Sequence, residues 1–279
     1  MSIPTFEVIN LTPAIAAEFL AGQAPNRNKK WAKIDKFARD MAAGRWSFTG
    51  EAIKFDTKGR MIDGQNRCEA VVKSGATIQI LVVHGLDPSA QADMDQVGPR
   101  STGDALKFAG HAQTHDLAAA ISTHRTWEQR AFLHCMATIG KGGPTNSEAL
   151  AHLEANPELA GATQQARRIY GGGLRLPVGS LATALVETKK IDAGDSADFF
   201  SRILELRTSG QGDPIATLIK RVTTIREAGQ RPLSSTGLFL LFRSWNAYRT
   251  GETLIKFQLG APARGPESPS TWAKIPEPK

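Results

Sequence analysis

The chain has 279 residues, and its 34 Lys and Arg against 27 Asp and Glu give it a formal net charge of +7. Hydrophobic residues make up 41% of it, enough for a packed core, and two cysteines are too few for a disulfide framework. No apolar run approaches the length of a membrane span, and no signal-peptide pattern opens the chain. The composition therefore predicts a soluble cytoplasmic protein with no membrane partner. Its basic excess favours contact with nucleic acid or another polyanion.

The first part of the chain alternates short strand and helix patterns. Residues 5–9 are typical of a strand, and Thr12 and Pro13 form a helix start with a capping side chain and Pro at the first helical position. Residues 31–41 carry apolar side chains at helical spacing. Strands interleaved with helices predict a small α/β domain over residues 1–110.

A hairpin is predicted in the middle of this domain. Residues 53–55 alternate apolar and polar side chains, as half-buried strands do, and residues 60–62 resume the strand pattern. Residues 56–59 between them have turn chemistry, with a short polar side chain first and a glycine last. The two runs therefore pair as neighbouring strands.

A helix pattern begins at Gln65, directly after Asp63 and Gly64. The first N–H groups of a helix are unpaired and carry partial positive charge, which suits an anion. Gly64 allows an anion close to the backbone, and Arg67 can add a two-pronged contact. With Gln65 and Asn66 they form a predicted phosphate site. The structural alternative is that Asp63 only caps the helix and Gly64 only makes the turn.

The helix that starts at Gln65 should present one apolar face to the core. Cys68, Val71 and Val72 are the residues that the pattern assigns to this face.

Segment Ile62–Ala70 resembles the Asp-Gly-Gln-His-Arg-x-x-Ala signature of the ParB/sulfiredoxin-like superfamily. Asn26–Asn28 and Met41–Trp46 resemble members encoded in phages and mobile elements. The resemblance covers roughly residues 5–110. It implies a loop and helix start that hold the phosphates of a nucleoside triphosphate, with Mg²⁺ and with the base unassigned. Members include CTP-binding DNA-partition proteins, a free-serine kinase and sulfiredoxins.

The sequence departs from this family pattern at two positions. The usual His is Asn66, which removes a titratable group. Sulfiredoxins carry their catalytic Cys at the position of Gln65, whereas Cys68 falls on the predicted buried face. Reduction of a sulfinic acid is therefore not expected.

Glu51 and Asp63 are the candidate catalytic carboxylates. Glu51 precedes the hairpin by two residues and could orient a hydroxyl or accept its proton, as in the serine kinase that this region resembles; the alternative is an exposed loop Glu. The resemblance also places Arg27 near the nucleotide. Asp95 and Arg100 lie in a polar segment and could face the pocket or pair with each other.

Only helical patterns follow, and they predict an all-helical domain over residues 111–258. Its first helix is predicted to run from Leu117 to Ile139. Residues 259–279 are rich in proline and predict a flexible tail, disordered or ordered on contact. No Cys/His cluster has zinc-ligand spacing. His111 and His115 are four apart but lack an acidic partner, so we predict no metal site.

The sequence thus predicts an α+β fold, a small ParB/sulfiredoxin-like α/β domain followed by an all-helical domain. The function it favours is that of a nucleotide-binding ParB-like protein that associates with DNA. One alternative is a phosphotransferase of the kinase kind, acting on a small hydroxyl compound or a modified base. A nuclease ranks third, because no paired-carboxylate cluster is evident. Turnover, as an NTPase or a kinase, stays open, and so does the oligomeric state, a dimer included.

Overall fold

The computed structural model describes residues 3–24, 29–93, 101–139, 143–262 and 270–279. The chain divides into two compact units, Met1–Arg100 and Ser101–Lys279. The described residues form eleven α-helices and one four-stranded sheet. The expectation of a mixed fold of helices and strands is confirmed.

The first unit contains the whole sheet. Its strands are β1 (Thr5–Leu11), β2 (Ala52–Asp56), β3 (Met61–Asp63) and β4 (Ile78–Leu86). Its helices are α1 (Pro13–Ala21), α2 (Trp31–Ala42) and α3 (Gln65–Ser74), followed by a short 3₁₀ segment at Pro88–Asp93. The predicted start of α1 is confirmed, since the side chain of Thr12 accepts a hydrogen bond from the backbone of Ile15 at 3.3 Å.

The strands lie in the order β1-β4-β2-β3. β4 is antiparallel to β1 and parallel to β2, and β2 forms an antiparallel hairpin with β3, as predicted. A parallel pair needs a crossover connection, and α3 lies in the connection between the hairpin and β4. The pairing therefore brings the end of β3, and with it the start of α3, beside β2.

The core of the first unit lies between the sheet and its helices. Cys68 and Val71 are fully buried in it, as predicted. Val72, predicted on the same face, is 43% exposed, because one residue along a helix is a rotation of about 100°. The predicted apolar face of α2 is likewise incomplete, since Ile34 and Met41 are buried but Trp31 is exposed.

The described residues of the second unit contain helices and no strand. Its helices are α4 (Thr102–Phe108), α5 (Thr114–Glu128), α6 (Asn146–Ala155), α7 (Glu158–Gly171), α8 (Val178–Ile191), α9 (Ala193–Leu204), α10 (Pro214–Glu227) and α11 (Ser234–Thr250). Leu106 of α4 is fully buried in this unit, in a cluster with residues of α5, α6, α7 and α8. The unit therefore begins at Ser101, before the predicted boundary at residue 110.

The helix predicted from Leu117 to Ile139 is wrong in its second half. α5 ends at Glu128, and Arg130 has a φ of 54°, which a helix does not accommodate. Phe132, which prolonged the apolar pattern, is buried in the core of the second unit but lies in an irregular segment, and the same is true of Cys135. Their hydrophobicity reflects tertiary contact and not helical periodicity.

The C-terminal segment packs on the helical unit where the structure describes it. The backbone N–H of Cys135 donates to the carbonyl of Ala273 at 2.8 Å. The indole N–H of Trp245 donates to the carbonyl of Lys279 at 2.9 Å, and the amide of Asn246 donates to that of Glu277 at 2.8 Å. Of the two forms expected for residues 259–279, the described part is the one that is ordered by contact.

Candidate functional site

The β2–β3 hairpin is fixed by a buried carboxylate. Asp56 accepts hydrogen bonds from the backbone N–H groups of Lys58 (2.8 Å) and Arg60 (2.9 Å) and from the guanidinium of Arg60 at 2.9 and 2.7 Å. Burial alone would raise the pKa of Asp56, but these hydrogen bonds outweigh it and lower the pKa below its ordinary value. The turn therefore holds β3 in register and delivers Asp63 to the start of α3.

Gly64 lies between β3 and α3 with a φ of 112° and is the N-cap residue of the helix. A Cβ at this position would lie 2.8 Å from Cγ1 of Ile53 and 3.2 Å from its Cα. Only glycine fits so close to β2 and adopts this φ without strain. The contact with Ile53 is a sufficient reason for glycine here, independent of any ligand.

Asp63 does not cap α3 in the way that the structural alternative required. Its Oδ1 accepts from the N–H of Gly64 at 2.7 Å, and no side chain caps the helix at its N-cap residue. Its Oδ2 lies 3.4 Å from Nζ of Lys54 and 3.3 Å from Nη2 of Arg67. Asp63 is therefore held between two cations.

Arg67 joins the start of α3 to the hairpin. Its Nη2 donates to the carbonyl of Ala52 at 2.6 Å and to Asp63, and its Nη1 lies 3.6 Å from Oε2 of Glu51. The Nε atom is buried and has no hydrogen-bond partner among the described residues. Leaving a buried donor unpaired costs about 1–3 kcal/mol. The guanidinium is thus both an internal anchor and a source of one unused donor.

The first turn of α3 offers further donors. The backbone N–H groups of Gln65 and Asn66 precede the first intrahelical bonds, and within the described part of the chain they have no partner. The side chain of Asn66 accepts from the backbone N–H of Lys30 at 3.4 Å, near the start of α2. Glu51 stands beside this turn with 71% of its side chain exposed. Together these groups make an uncapped, donor-rich helix start.

The structure brings six of the predicted site residues together. They are Glu51, Asp63, Gly64, Gln65, Asn66 and Arg67. The other three, Arg27, Asp95 and Arg100, lie outside the described residues.

Sequence reasoning missed Lys54, whose ammonium faces Asp63. The signal was present in the predicted hairpin, because Lys54 and Asp63 are paired directly across β2 and β3.

Cys68 has no exposed surface, and burial raises the pKa of its thiol to about 12. The thiol is therefore protonated at neutral pH and does not supply a thiolate nucleophile.

A second polar cluster, absent from the sequence analysis, lies in the helical unit. His124 and Glu128 of α5 and His152 of α6 each place one possible ligand atom within 4.8 Å of the others. Nδ1 of His124 lies 2.9 Å from Nε2 of His152. Burial, and then the neighbouring His124, lower the pKa of His152, so this imidazole is neutral at neutral pH. Only His124 and Glu128 stand at helical spacing in the sequence, because His152 comes from a different helix.

No protein-family model matches the chain, and no curated protein matches its sequence. Within the described residues, none of the helices combines the length and the apolar character needed to cross a membrane.

Proposed function

We propose that the start of α3 binds the phosphates of a nucleoside triphosphate. The observation that carries the proposal is the uncapped helix start, where the N–H groups of Gln65 and Asn66 lack partners beside Arg67, whose Nε is also unpaired in the described structure. Unpaired N–H groups and the helix dipole attract anions, and a guanidinium adds a charge-assisted contact. The likeness of Ile62–Ala70 to the ParB/sulfiredoxin-like signature supports a nucleotide as the source of the phosphate.

The bound nucleotide would bring Mg²⁺, and the residues present fit that ion in part. Asp63 is already held by Lys54 and Arg67, so its carboxylate is not free for a cation. Glu51 is exposed and its nearest charged group is Arg67, at 3.6 Å. Glu51 is therefore the carboxylate at this site that would hold Mg²⁺, directly or through water.

DNA is the proposed macromolecular partner. The net charge of +7 supports it, because a basic protein is attracted to a polyphosphate backbone whatever the base sequence. We expect the affinity for duplex DNA to fall steeply between low and moderate salt and to depend little on sequence. The measurement is fluorescence anisotropy of a labelled duplex, with and without the nucleotide. Affinity that hardly changes with salt would contradict this partner.

A phosphotransferase is the second candidate, and the position of Glu51 favours it. Its exposed carboxylate beside Arg67 could accept the proton of an acceptor hydroxyl while the helix start holds the phosphates. Glu51→Gln should then bind the nucleotide without Mg²⁺ as the wild type does, because Glu51 does not supply the backbone donors of the helix start, and should lose phosphate transfer. Transfer that is equal in both proteins would exclude Glu51 as the base.

The test of nucleotide binding uses Asn66→Asp. The two side chains have nearly the same shape, the variant keeps an oxygen for the N–H of Lys30, and a carboxylate in the first turn favours the helix. The new charge, however, repels a phosphate at the same place. We expect nucleotide affinity to fall about tenfold or more, which is about 1.4 kcal/mol.

The matched control is Gln79→Glu, which makes the same change of charge on an exposed position of β4. Calorimetric titration of each ribonucleoside triphosphate, with and without Mg²⁺, should give equal affinities for this variant and the wild type. A wild type that binds none of them contradicts the proposal, and so does an Asn66→Asp protein that binds as the wild type does.

A further inference from the structure

We propose that His124, Glu128 and His152 form a binding site for a divalent transition-metal ion of the zinc class. The site lies in the helical unit, and the inference is independent of the nucleotide function proposed above. It joins helices α5 and α6, and Glu187 of α8 orients one of its ligands.

The backbone places the three ligands on two helices. His124 and Glu128 are four residues apart on α5 and therefore share one face of that helix. His152 approaches from α6, and its Nε2 lies 2.9 Å from Nδ1 of His124. One possible ligand atom of Glu128 lies within 4.8 Å of one from each histidine. Its carboxylate is 4.0 Å from Nε2 of His124 and 3.9 Å from Nδ1 of His152, the ring nitrogens outside the contact between the two histidines. The three side chains thus surround one small volume.

The spacing is close to that of a tetrahedral site. Zinc bonds of about 2.0–2.2 Å require ligand atoms about 3.3 Å apart. The two imidazole nitrogens must separate by a few tenths of an ångström, and the carboxylate must move inward. Glu128 is free to do so, because its side chain is 40% exposed, whereas His124 and His152 are held by burial at 0% and 10% exposure. The larger part of the adjustment therefore falls on Glu128, the most exposed of the three ligands.

Glu187 fixes the tautomer of His124. Its carboxylate accepts hydrogen bonds from the indole of Trp127 at 3.0 Å and from Lys190 at 2.6 Å, and it faces Nε2 of His124 at 3.4 Å. A carboxylate only accepts, so Nε2 carries the hydrogen and Nδ1 keeps its lone pair, which accepts the hydrogen of His152 Nε2 in the metal-free protein. For Nε2 of His152 to ligate the ion, this hydrogen moves to Nδ1 of the same ring. A carboxylate behind a ligating histidine is the usual outer arrangement of metal sites.

The charges around the cluster also suit a dication. Glu128 and Glu187 are acidic, and Lys190 lies 2.6 Å from Glu187 and 4.0 Å from Glu128. Glu128, Glu187 and Lys190 together carry one uncompensated negative charge, which a divalent ion converts into a small positive one. Two imidazoles and one carboxylate are ligands that zinc and neighbouring transition metals prefer over Mg²⁺. The exposed side of Glu128 leaves room for water as a fourth ligand.

Metal binding would tie α5 to α6 and stabilise the folded chain, since the unfolded chain lacks the assembled site. The full-length protein, stripped with a chelator and dialysed, is titrated with Zn²⁺ by calorimetry, and its melting temperature is recorded with and without Zn²⁺. We expect one ion per chain and a higher melting temperature. Mg²⁺ at the same concentration should produce no shift.

The variants are His152→Gln and Glu128→Gln, because replacing the fully buried His124 could itself unfold the protein. Each should weaken Zn²⁺ binding at least tenfold and reduce the shift that Zn²⁺ induces. That shift, and not the melting temperature of the metal-free variant, is the readout, because His152→Gln also loses the hydrogen bond to His124. The control is His115→Gln, an exposed position on the same α5, which should bind Zn²⁺ as the wild type does.

Three results would overturn the proposal. They are a wild type that binds no Zn²⁺, a His152→Gln protein that binds it as tightly as the wild type, and a His115→Gln protein that loses binding to the same extent as His152→Gln. Substituting Co²⁺ adds a spectroscopic check, because a site with nitrogen and oxygen ligands gives visible absorption that should disappear in His152→Gln.

Discussion

Gly64 shows how one position can carry two explanations. A glycine at this position would allow a phosphate to approach the backbone, and in the structure it also lies against Ile53. A substitution there would be expected to leave the fold intact if ligand approach were its only role. The contact predicts instead that the fold itself is sensitive, because a Cβ would lie 2.8 Å from a side-chain atom of β2.

Gly64→Ala should therefore lower the free energy of unfolding by at least about 2 kcal/mol, from the left-handed backbone and from the overlap with Ile53 together. Gly59→Ala is the matched control, since Gly59 also has a positive φ, 72°, but its Cβ would meet nothing within 4 Å. It should cost only about 1 kcal/mol. Urea denaturation measures both, and equal costs would show that the contact with Ile53 is unimportant.

At the candidate site, the sequence predicts local features but not the contacts between residues that are distant in the chain. Local spacing was enough to place Gly64, Gln65 and Asn66 at a helix start, because turns and caps are local. It could not show that Arg67 is already bound to the carbonyl of Ala52, since that contact depends on the pairing of distant strands. The contact between His124 and His152 could not be predicted for the same reason, because the two residues lie on different helices.

At the scale of elements, close approach of helices decides which glycines are required. Gly179 of α8 faces α5, and a Cβ there would lie 2.7 Å from the carbonyl oxygen of Ala119 and would overlap Thr123. Helical patterns predicted an all-helical domain here but could not reveal that the first turn of α8 lies against another backbone. Such contacts belong to tertiary structure.

Gly179→Ala should destabilise the protein by about 1–3 kcal/mol, because the overlap with α5 outweighs the better helix propensity of alanine. Gly161→Ala in α7 is the control with the opposite sign. A Cβ at Gly161 would meet nothing within 4 Å, so alanine should stabilise by about 0.5–1 kcal/mol. Thermal and urea unfolding would decide, and two stabilising substitutions would contradict the packing of α5 on α8.

The cap of α10 gives a prediction that depends on pH. Asp213 accepts from the backbone N–H groups of Ser209, Ile215 and Ala216. Burial alone would raise the pKa of Asp213, but these bonds and Arg202 outweigh it and lower the pKa below the ordinary value of 3.8. A lowered pKa means that the stabilisation is present above pH 3.8 and is lost as pH falls through the lower, folded-state value.

Asp213→Ala should accordingly cost about 1–2 kcal/mol near neutral pH, and the cost should shrink as the pH is lowered below 3.8. Thr12→Ala removes the uncharged cap of α1, and its cost should not change with pH. Unfolding free energies of both variants and the wild type over this range test the difference. A constant cost for Asp213→Ala would mean that the carboxylate charge does not contribute.

At the scale of the whole molecule, each hydrophobic cluster contains buried residues of only one of the two units. The cluster of the first unit contains buried residues from Leu11 to Val82, and the clusters of the second begin with Leu106. The boundary predicted at residue 110 puts α4 in the first unit, whereas the structure groups α4 with the second. The sequence of this short helix does not indicate which hydrophobic core it packs against. The burial of Leu106 among residues of the second unit assigns it.

A fragment of residues 101–279 should therefore unfold cooperatively as an isolated helical protein. A fragment of 111–279, which starts at the boundary taken from the sequence, lacks Leu106 and should be less stable by about 2–5 kcal/mol, as for the loss of a buried leucine side chain. Circular dichroism during urea denaturation compares them. Equal urea midpoints for the two fragments would contradict the assignment of α4 to the second unit.

The hydrogen bond between Cys135 and Ala273 has a consequence for biosynthesis. A ribosome releases the segment around Cys135 long before it has made Ala273, so the acceptor for this N–H is missing during most of translation. A shorter delay applies to Trp245 and Asn246, whose acceptors lie at residues 279 and 277. The sheet unit, whose core closes with Val82, is complete much earlier. The nascent chain thus carries a finished N-terminal unit and an open helical one until its last described residues emerge, and that interval is when chaperones would bind it.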